Sequence, residues 1–329
     1  MNTTLGRSLI AMSVALSGAA MADQHDADGV DKGKIHHRIN DNSPETNPSG
    51  PAHVGDAPTA GSTGKLSTIT NHGGPVMGGA PDVHLLWYGN WAQSNGSDNA
   101  AGQAIVNDFM NTVGGSNWIK INTNTPVTTV GYTGSSSTVV SGALATVHNA
   151  NVGYLSGKTR LTDANIATVV SNYVATQGGA TTNAIYFVLT SSDVTASSGF
   201  CTKYCGWHTK GTVGGVANVK YSFVGNANRC LSSCAAQTVS PNGNAGVDGM
   251  ISVAAHELVE TLSDPLLNAW YDSSGAENAD KCAWTFGGAQ TLNANGSYSN
   301  VTLGARKFLI QRNLAANSKC YVDGVTGQQ

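Results

Sequence analysis

Apolar residues follow two periods along the chain, and the two periods predict alternating strands and helices. Runs rich in β-branched and aromatic residues predict strands at residues 81–88 and 183–189, with a shorter one at 221–224. Further short strands are predicted at 127–132, 137–140 and 307–311. The rest of residues 190–247 carries no clear period and is predicted to be loop.

Helical spacing of apolar residues predicts three helices. They cover residues 99–113, residues 161–174 and a third segment that ends before Pro265. We expect Asp248 to cap the third helix, because its carboxylate can accept the free N–H groups of a first turn. Strands and helices alternate without repeats, so the predicted class is α+β, with a mixed sheet packed against helices in one domain over residues 66–329.

The N-terminal 65 residues differ from this pattern. Residues 1–22 have a basic start at Arg7, a short apolar run and an Ala20-Met21-Ala22 site, which together predict a secretory signal peptide. The apolar run is too short for a transmembrane helix, and no later stretch of the chain is apolar enough to span a membrane. Residues 23–65 are polar and poor in aliphatic residues, so we expect a disordered leader there.

Composition narrows the function classes. The chain has 329 residues, of which 40% are hydrophobic and only 11% charged, and its formal net charge is −3. Soluble domains carry about 25% charged residues. A neutral polar surface of this kind suits an extracellular protein. No basic cluster is available to neutralise phosphates, which argues against nucleic-acid partners.

The cysteines are even in number, as expected of disulfides in an exported protein. Sequence alone does not choose among their pairings, although we expect Cys282 to pair with Cys320. Two close C-x₃-C pairs leave zinc binding as the alternative, but zinc sites more often use C-x₂-C spacing and export favours oxidation. The predicted disulfide residues are Cys201, Cys205, Cys230, Cys234, Cys282 and Cys320.

The third helix carries the residues with the clearest chemistry. His256 and Glu260 are four residues apart and therefore share a helix face, and Glu257 lies beside His256. This H-E-x-x-E string is similar to the H-E-x-x-H of zinc hydrolases, in which two helical ligands hold the metal and the Glu acts on water. The spacing predicts His256 and Glu260 as metal ligands and Glu257 as the general base. The alternative is an ordinary helical histidine with a solvated partner.

A third metal ligand must come from outside the helix. Glu277 lies 21 residues after His256, a separation at which H-E-x-x-H enzymes with a glutamate ligand often supply their third ligand. Asp280 is the other main candidate. Asp264 and His208 are further possibilities. Carboxylate is a permitted zinc ligand, but two carboxylates and one imidazole favour hard cations more than two imidazoles do, so calcium, manganese and magnesium become plausible as well. The predicted cofactor is a divalent metal, either zinc or calcium.

Several motifs occur in order along the chain. They are VHLLWYGNW at 83–91, FCTKYCGWH at 200–208, VGN at 224–226, GVDGMISVAAHELVE at 246–260, E-x-x-D-x-C at 277–282 and G-x-RKFL at 304–309. Together they resemble the EXORDIUM-like (phosphate-induced protein 1) family, and we interpret the chain as a bacterial-type member. The resemblance covers roughly residues 70–323. It implies an extracellular or cell-wall protein, and in plants the family is linked to growth responses.

Two function classes follow from these observations. The leading one is a secreted, metal-dependent hydrolase with a zincin-like domain, acting on extracellular peptides. The other is a non-catalytic protein that binds cell-wall polysaccharide or a receptor through exposed aromatic residues. A structural calcium ion is a third interpretation of the acidic cluster. The aromatic residues in question are Trp87, Tyr88, Trp91 and Trp207.

Overall fold

The structure is a computed structural model that describes residues 35–38 and 68–329. The predicted signal peptide and most of the predicted leader lie outside the described residues. Within the leader segment, Ile35–Arg38 is a β-strand that pairs with the main domain.

The described chain contains sixteen strands and four α-helices. The helices are α1 (Ala100–Val113), α2 (Asp163–Thr176), α3 (Leu231–Cys234) and α4 (Ala245–Ser263). In chain order, the strands β1 to β16 are Ile35–Arg38, Thr70–Asn71, Asp82–Tyr88, Val147–Gly153, Arg160–Leu161, Ala184–Thr190, Thr195–Ala196, Tyr204–Val213, Val216–Gly225, Trp270–Tyr271, Thr291–Leu292, Tyr298–Ser299, Val301–Leu303, Arg306–Phe308, Asn313–Leu314 and Cys320–Tyr321.

One mixed six-stranded sheet organises the domain, in the order β1-β8-β9-β6-β3-β4. Strands β4, β3, β6 and β9 are parallel neighbours, β8 is antiparallel to β9, and β1 is antiparallel to β8. All seven residues of β6 are buried, as expected of a central strand covered on both faces. The other strands form small two-stranded sheets around this one.

Helices cover both faces of the main sheet. On one face Tyr173 of α2 packs edge-on against His84 of β3 and Tyr186 of β6. On the other face α4 contacts β8 and β9, and α1 packs beside α4. Nearly every residue of α4 is buried, so its polar side chains lie inside the protein. None of the helices in the described part of the chain is long and apolar enough to cross a bilayer.

Three local predictions were wrong. Residues 190–247 are not mainly loop, because they contain the long β8–β9 hairpin. Helix α4 begins earlier than expected and is capped by Asn244, whose side chain accepts a hydrogen bond from the backbone N–H of Val247 at 3.2 Å. Asp248 lies inside the first turn and is bonded by Ser240 and Asn242 instead. The two predicted strands at 127–140 reduce to one isolated bridge between Thr133 and Val139.

All six cysteines form disulfides, as predicted. The pairs are Cys201–Cys230, Cys205–Cys234 and Cys282–Cys320. The first two join the start of β8 to the segment before α4. The third, which is the expected long-range pair, joins the residues after Asp280 to the C-terminal strand. No cysteine is free, so the alternative of a zinc site built from cysteines does not apply.

Candidate metal centre

The centre is built around two residues one turn apart on α4. His256 Nε2 lies 2.9 Å from Glu260 Oε1, and both side chains are fully buried. The i, i+4 spacing places them on the same helix face, as the sequence predicts. Because the helix packs against β8 and β9, this face is turned into the protein rather than toward solvent.

Strand β8 supplies the opposite wall through His208. The rings of Trp207 and Phe223 stack on the face of the sheet that α2 covers. Successive residues of a strand point to opposite faces, so His208 points to the face that α4 covers. Gly206 occupies the next position on that face. A side chain there would meet Val253, and its Cβ would lie 3.2 Å from Glu257 Oε1. The glycine therefore lets α4 approach β8 closely enough for Glu257 and His208 to share one site.

The loop after β10 supplies two more carboxylates, and backbone hydrogen bonds hold it in place. The Glu277 N–H donates to Asp280 Oδ2 at 3.0 Å, and the Asp280 N–H donates to Glu260 Oε1 at 3.1 Å. Glu277 Oε2 then lies 2.6 Å from His208 Nε2, and Asp280 Oδ1 lies 3.4 Å from His256 Nε2. The side chain of Glu260 thus contacts both His256 on its own helix and Asp280 in the loop.

Two overlapping groups of side chains have metal-ligand spacing. One is His256, Glu260 and Asp280, and the other is His208, Glu257 and Glu260; within each group the ligand atoms lie within 4.8 Å of one another. Glu260 belongs to both. Its Oε2 atom is buried, lies 3.6 Å from His208 Nε2, and accepts no hydrogen bond among the described residues. A buried carboxylate oxygen without a donor is the kind of atom that a cation satisfies.

The acidic side chains of the centre lie so close together that their pKa values are raised. Burial and the neighbouring charge of Asp280 raise the pKa of Glu260 to about 7. Burial, together with Glu260 and Asp264, raises the pKa of Glu277 well above its usual range. Burial opposes protonation of His256, but Glu260, Asp280 and Glu257 outweigh it and raise the His256 pKa well above normal. The crowded carboxylates therefore favour the binding of positive charge, either as protons or as a cation.

The structure brings the predicted site residues together. His256, Glu260 and Asp280 form one ligand group, Glu257 lies in the other, and Glu277 contacts His208 rather than His256. Asp264 belongs to neither group, although it lies beside Glu277 and raises the pKa of that carboxyl group. Its Oδ1 accepts the backbone N–H groups of Asn268 and Ala269, both at 2.7 Å, and so it stabilises the turn after α4.

The aromatic residues considered for carbohydrate stacking are not exposed. Trp87, Tyr88 and Trp207 are at most 2% exposed, and Trp91 is 8% exposed. Trp87 and Trp91 pack edge-on against each other. These side chains belong to the core, so they offer no stacking surface for sugars.

Comparison with known proteins gives a consistent result over most of the chain. The phosphate-induced protein 1 conserved region matches residues 69–321. Protein EXORDIUM-like 3 of Arabidopsis thaliana is 30% identical over 285 residues, covering 75% of this chain and 80% of the relative. Protein PHOSPHATE-INDUCED 1 of Nicotiana tabacum is 31% identical over 225 residues, covering 61% of this chain and 66% of the relative. No solved structure matches the chain. The chain therefore belongs to the phosphate-induced protein 1 family of EXORDIUM-like proteins.

Proposed function

We propose that the protein is a secreted, metal-dependent hydrolase that acts on peptide bonds. The observation that carries this proposal is the convergence of His256, Glu260 and Asp280, with the unbonded Oε2 atom of Glu260 buried between them and His208. A general base candidate, Glu257, lies within the same cluster. The arrangement of a ligand-bearing helix under a mixed sheet is the basis for proposing a zincin-like domain.

The donor set favours zinc over calcium. Zinc takes imidazole nitrogen and carboxylate oxygen in four-coordinate sites, whereas calcium takes six to eight oxygen ligands. His256, Glu260 and Asp280 provide one nitrogen and two carboxylates, which leaves a position open for substrate. The fit requires the imidazole of His256 to be neutral, and a bound cation favours that form because it repels a second positive charge.

Each residue then has a defined part in hydrolysis. A divalent cation bound here supplies Lewis-acid chemistry, which polarises a carbonyl group and lowers the pKa of water. Glu257 accepts the proton from the attacking water and later returns it to the leaving amine. Glu277 holds His208 in place through the 2.6 Å contact, and His208 in turn lies beside Glu260 Oε2. The Asp280 N–H orients the other oxygen of Glu260.

The proposed location is outside the cell. The signal-like residues 1–22 and the three disulfides support secretion, since disulfides persist in oxidising compartments. An extracellular peptide is the proposed substrate class. That the chain is a bacterial-type member stays a prediction, because the relatives reported above come from plants.

A peptide-hydrolysis assay tests the proposal. A quenched fluorescent peptide library is incubated with zinc-loaded protein, both as the intact chain and after limited proteolysis, and the Glu257→Gln variant is compared with Asp108→Asn. Asp108 lies on α1 in an exposed ion pair with Arg306, so its variant is a matched acid-to-amide control. We expect Glu257→Gln to lower turnover by roughly 10²–10⁴-fold while retaining the metal. Absence of hydrolysis in both protein forms, or equal turnover in Glu257→Gln, contradicts the proposal.

A further inference from the structure

Strand β8 is paired along both of its edges within the main sheet, and its outer neighbour is the N-terminal strand β1. Its inner edge pairs with β9, and its outer edge pairs antiparallel with Ile35–Arg38. The register sets Ile35 opposite His208 and His37 opposite Gly206. These are the two β8 positions that face α4 and the candidate metal centre. The leader therefore binds the stretch of β8 that forms the wall of the site.

The candidate metal centre is almost closed when this strand is in place. The side chain of Asp280 is 17% exposed, but His208, His256, Glu257 and Glu260 are at most 1% exposed, so a substrate can reach them only if a covering segment moves. Strand β1 contacts α4 as well as β8, which places it over the boundary between the helix and the strand. It is also joined to the domain by backbone pairing at one edge only.

We infer that Ile35–Arg38 occupies the position at which an extended peptide substrate pairs with β8, so that the leader acts as an internal inhibitor of the site. That the displaced peptide is a substrate rests on the proposed hydrolase function. That a peptide can pair with β8 is independent of this function, because a free strand edge binds extended peptides through its backbone N–H and C=O groups. Departure of β1 leaves such an edge directly beside His208.

The chain's own leader is the occupant favoured by the structure. It is seated on the edge, and its attachment to the same chain gives it a high effective concentration over a peptide supplied in solution. A second copy of the protein or a foreign peptide must compete against that intramolecular contact. The leader thus delays substrate entry through backbone pairing alone, and its side chains need not imitate those of a substrate.

A double proline substitution in the intact chain tests the inference. Adjacent residues of a strand point their N–H groups toward opposite edges, so one of His36 and His37 directs its N–H toward β8. The double substitution His36→Pro/His37→Pro therefore removes that donor without the need to know which residue carries it. The matched control is Ser62→Pro/Thr63→Pro, two adjacent leader positions outside β1. Circular dichroism and thermal melting establish that both variants are folded.

Two readouts are measured on these proteins. Hydrogen exchange follows the amides of residues 204–213, and fluorescence anisotropy follows a labelled peptide of residues 31–42 added in trans. We expect the His36→Pro/His37→Pro variant to lose protection in alternate β8 amides and to bind the peptide. We expect wild type and the Ser62→Pro/Thr63→Pro control to keep protection and not to bind it. A peptide that itself carries both prolines must not bind the variant.

The contrary results are equally distinct. Unchanged β8 protection in the folded variant, or equal peptide binding by wild type, overturns the inference. Failure of the hydrolase proposal has another signature, namely a protein that binds the peptide at β8 but holds no metal and cleaves nothing. If both hold, the His36→Pro/His37→Pro variant also cleaves the peptide library faster than wild type does.

Discussion

Glu260 Oε1 lies 2.9 Å from His256 Nε2 within α4 and accepts the backbone N–H of Asp280 at 3.1 Å from the following loop. One carboxylate oxygen therefore joins the helix to the loop that carries the other acidic residues. The second oxygen of Glu260 accepts no hydrogen bond from the described part of the chain and lies 3.6 Å from His208 Nε2. This division between a bonded and an unbonded oxygen is what we expect of a ligand that is positioned before the metal arrives.

Removal of the metal is predicted to lower the melting temperature. A ligand that binds only the folded state and is present at 100 times its Kd adds about 2.7 kcal/mol to the free energy of unfolding. This corresponds to a rise in melting temperature of roughly 5–10 °C for a domain of this size. Differential scanning calorimetry with and without EDTA measures the shift, and readdition of zinc or calcium identifies the ion that restores it. The His256→Ala variant should melt at the same temperature in both buffers. Equal EDTA shifts in wild type and His256→Ala contradict the assignment.

The Cys282–Cys320 disulfide is predicted to support metal affinity as well as stability. It begins two residues after Asp280 and closes a loop with a sequence separation of 38, while Cys201–Cys230 closes one of 29. Replacing either pair by serines should therefore cost a similar free energy of unfolding, about 2–4 kcal/mol. Only loss of Cys282–Cys320 should also weaken zinc binding, measured by calorimetric titration, because Asp280 loses its anchor. Equal zinc affinities in the two double variants contradict this.

Stability is predicted to fall as the pH drops from 6.5 toward 4, in part because of His84. Burial, with His148 stacked at 4.4 Å, lowers the pKa of His84 to about 4. The unfolded chain binds this proton near pH 6.5 and the folded chain does not, so protonation favours unfolding across that interval. Urea unfolding at a series of pH values should show a smaller fall for His84→Phe, which keeps the ring. The control is His72→Phe at an exposed position, and an equal fall in all three proteins contradicts the prediction.

Helical periodicity is a local property, so the sequence predicts α4 and groups most residues of the candidate site on or near it. His256, Glu257 and Glu260 lie on one periodic segment, and Asp280 follows within a short connection. The choice between Glu277 and Asp280 was not available from spacing, because it depends on backbone hydrogen bonds within the loop. Those bonds place Asp280 beside His256 and Glu277 beside His208.

The hairpin that carries His208 was missed because its strands combine polar residues with glycines. A signal was present nonetheless. Gly214 and Gly215 both adopt positive φ and connect the paired residues Val213 and Val216, and two glycines between β-branched residues are typical of a tight hairpin. Strand β1 carried no comparable signal. Its pairing is a long-range contact to β8 that its own polar surroundings do not predict.

Metal analysis of the purified protein tests the central claim most directly. Inductively coupled plasma mass spectrometry is applied to wild type, Glu260→Gln and the Asp108→Asn control after dialysis against zinc and then against metal-free buffer. We predict about one divalent cation per chain in wild type and in Asp108→Asn, and a far lower content in Glu260→Gln because a charged ligand shared by both groups is lost. A wild-type protein without bound metal, or a Glu260→Gln variant with the wild-type content, contradicts the account.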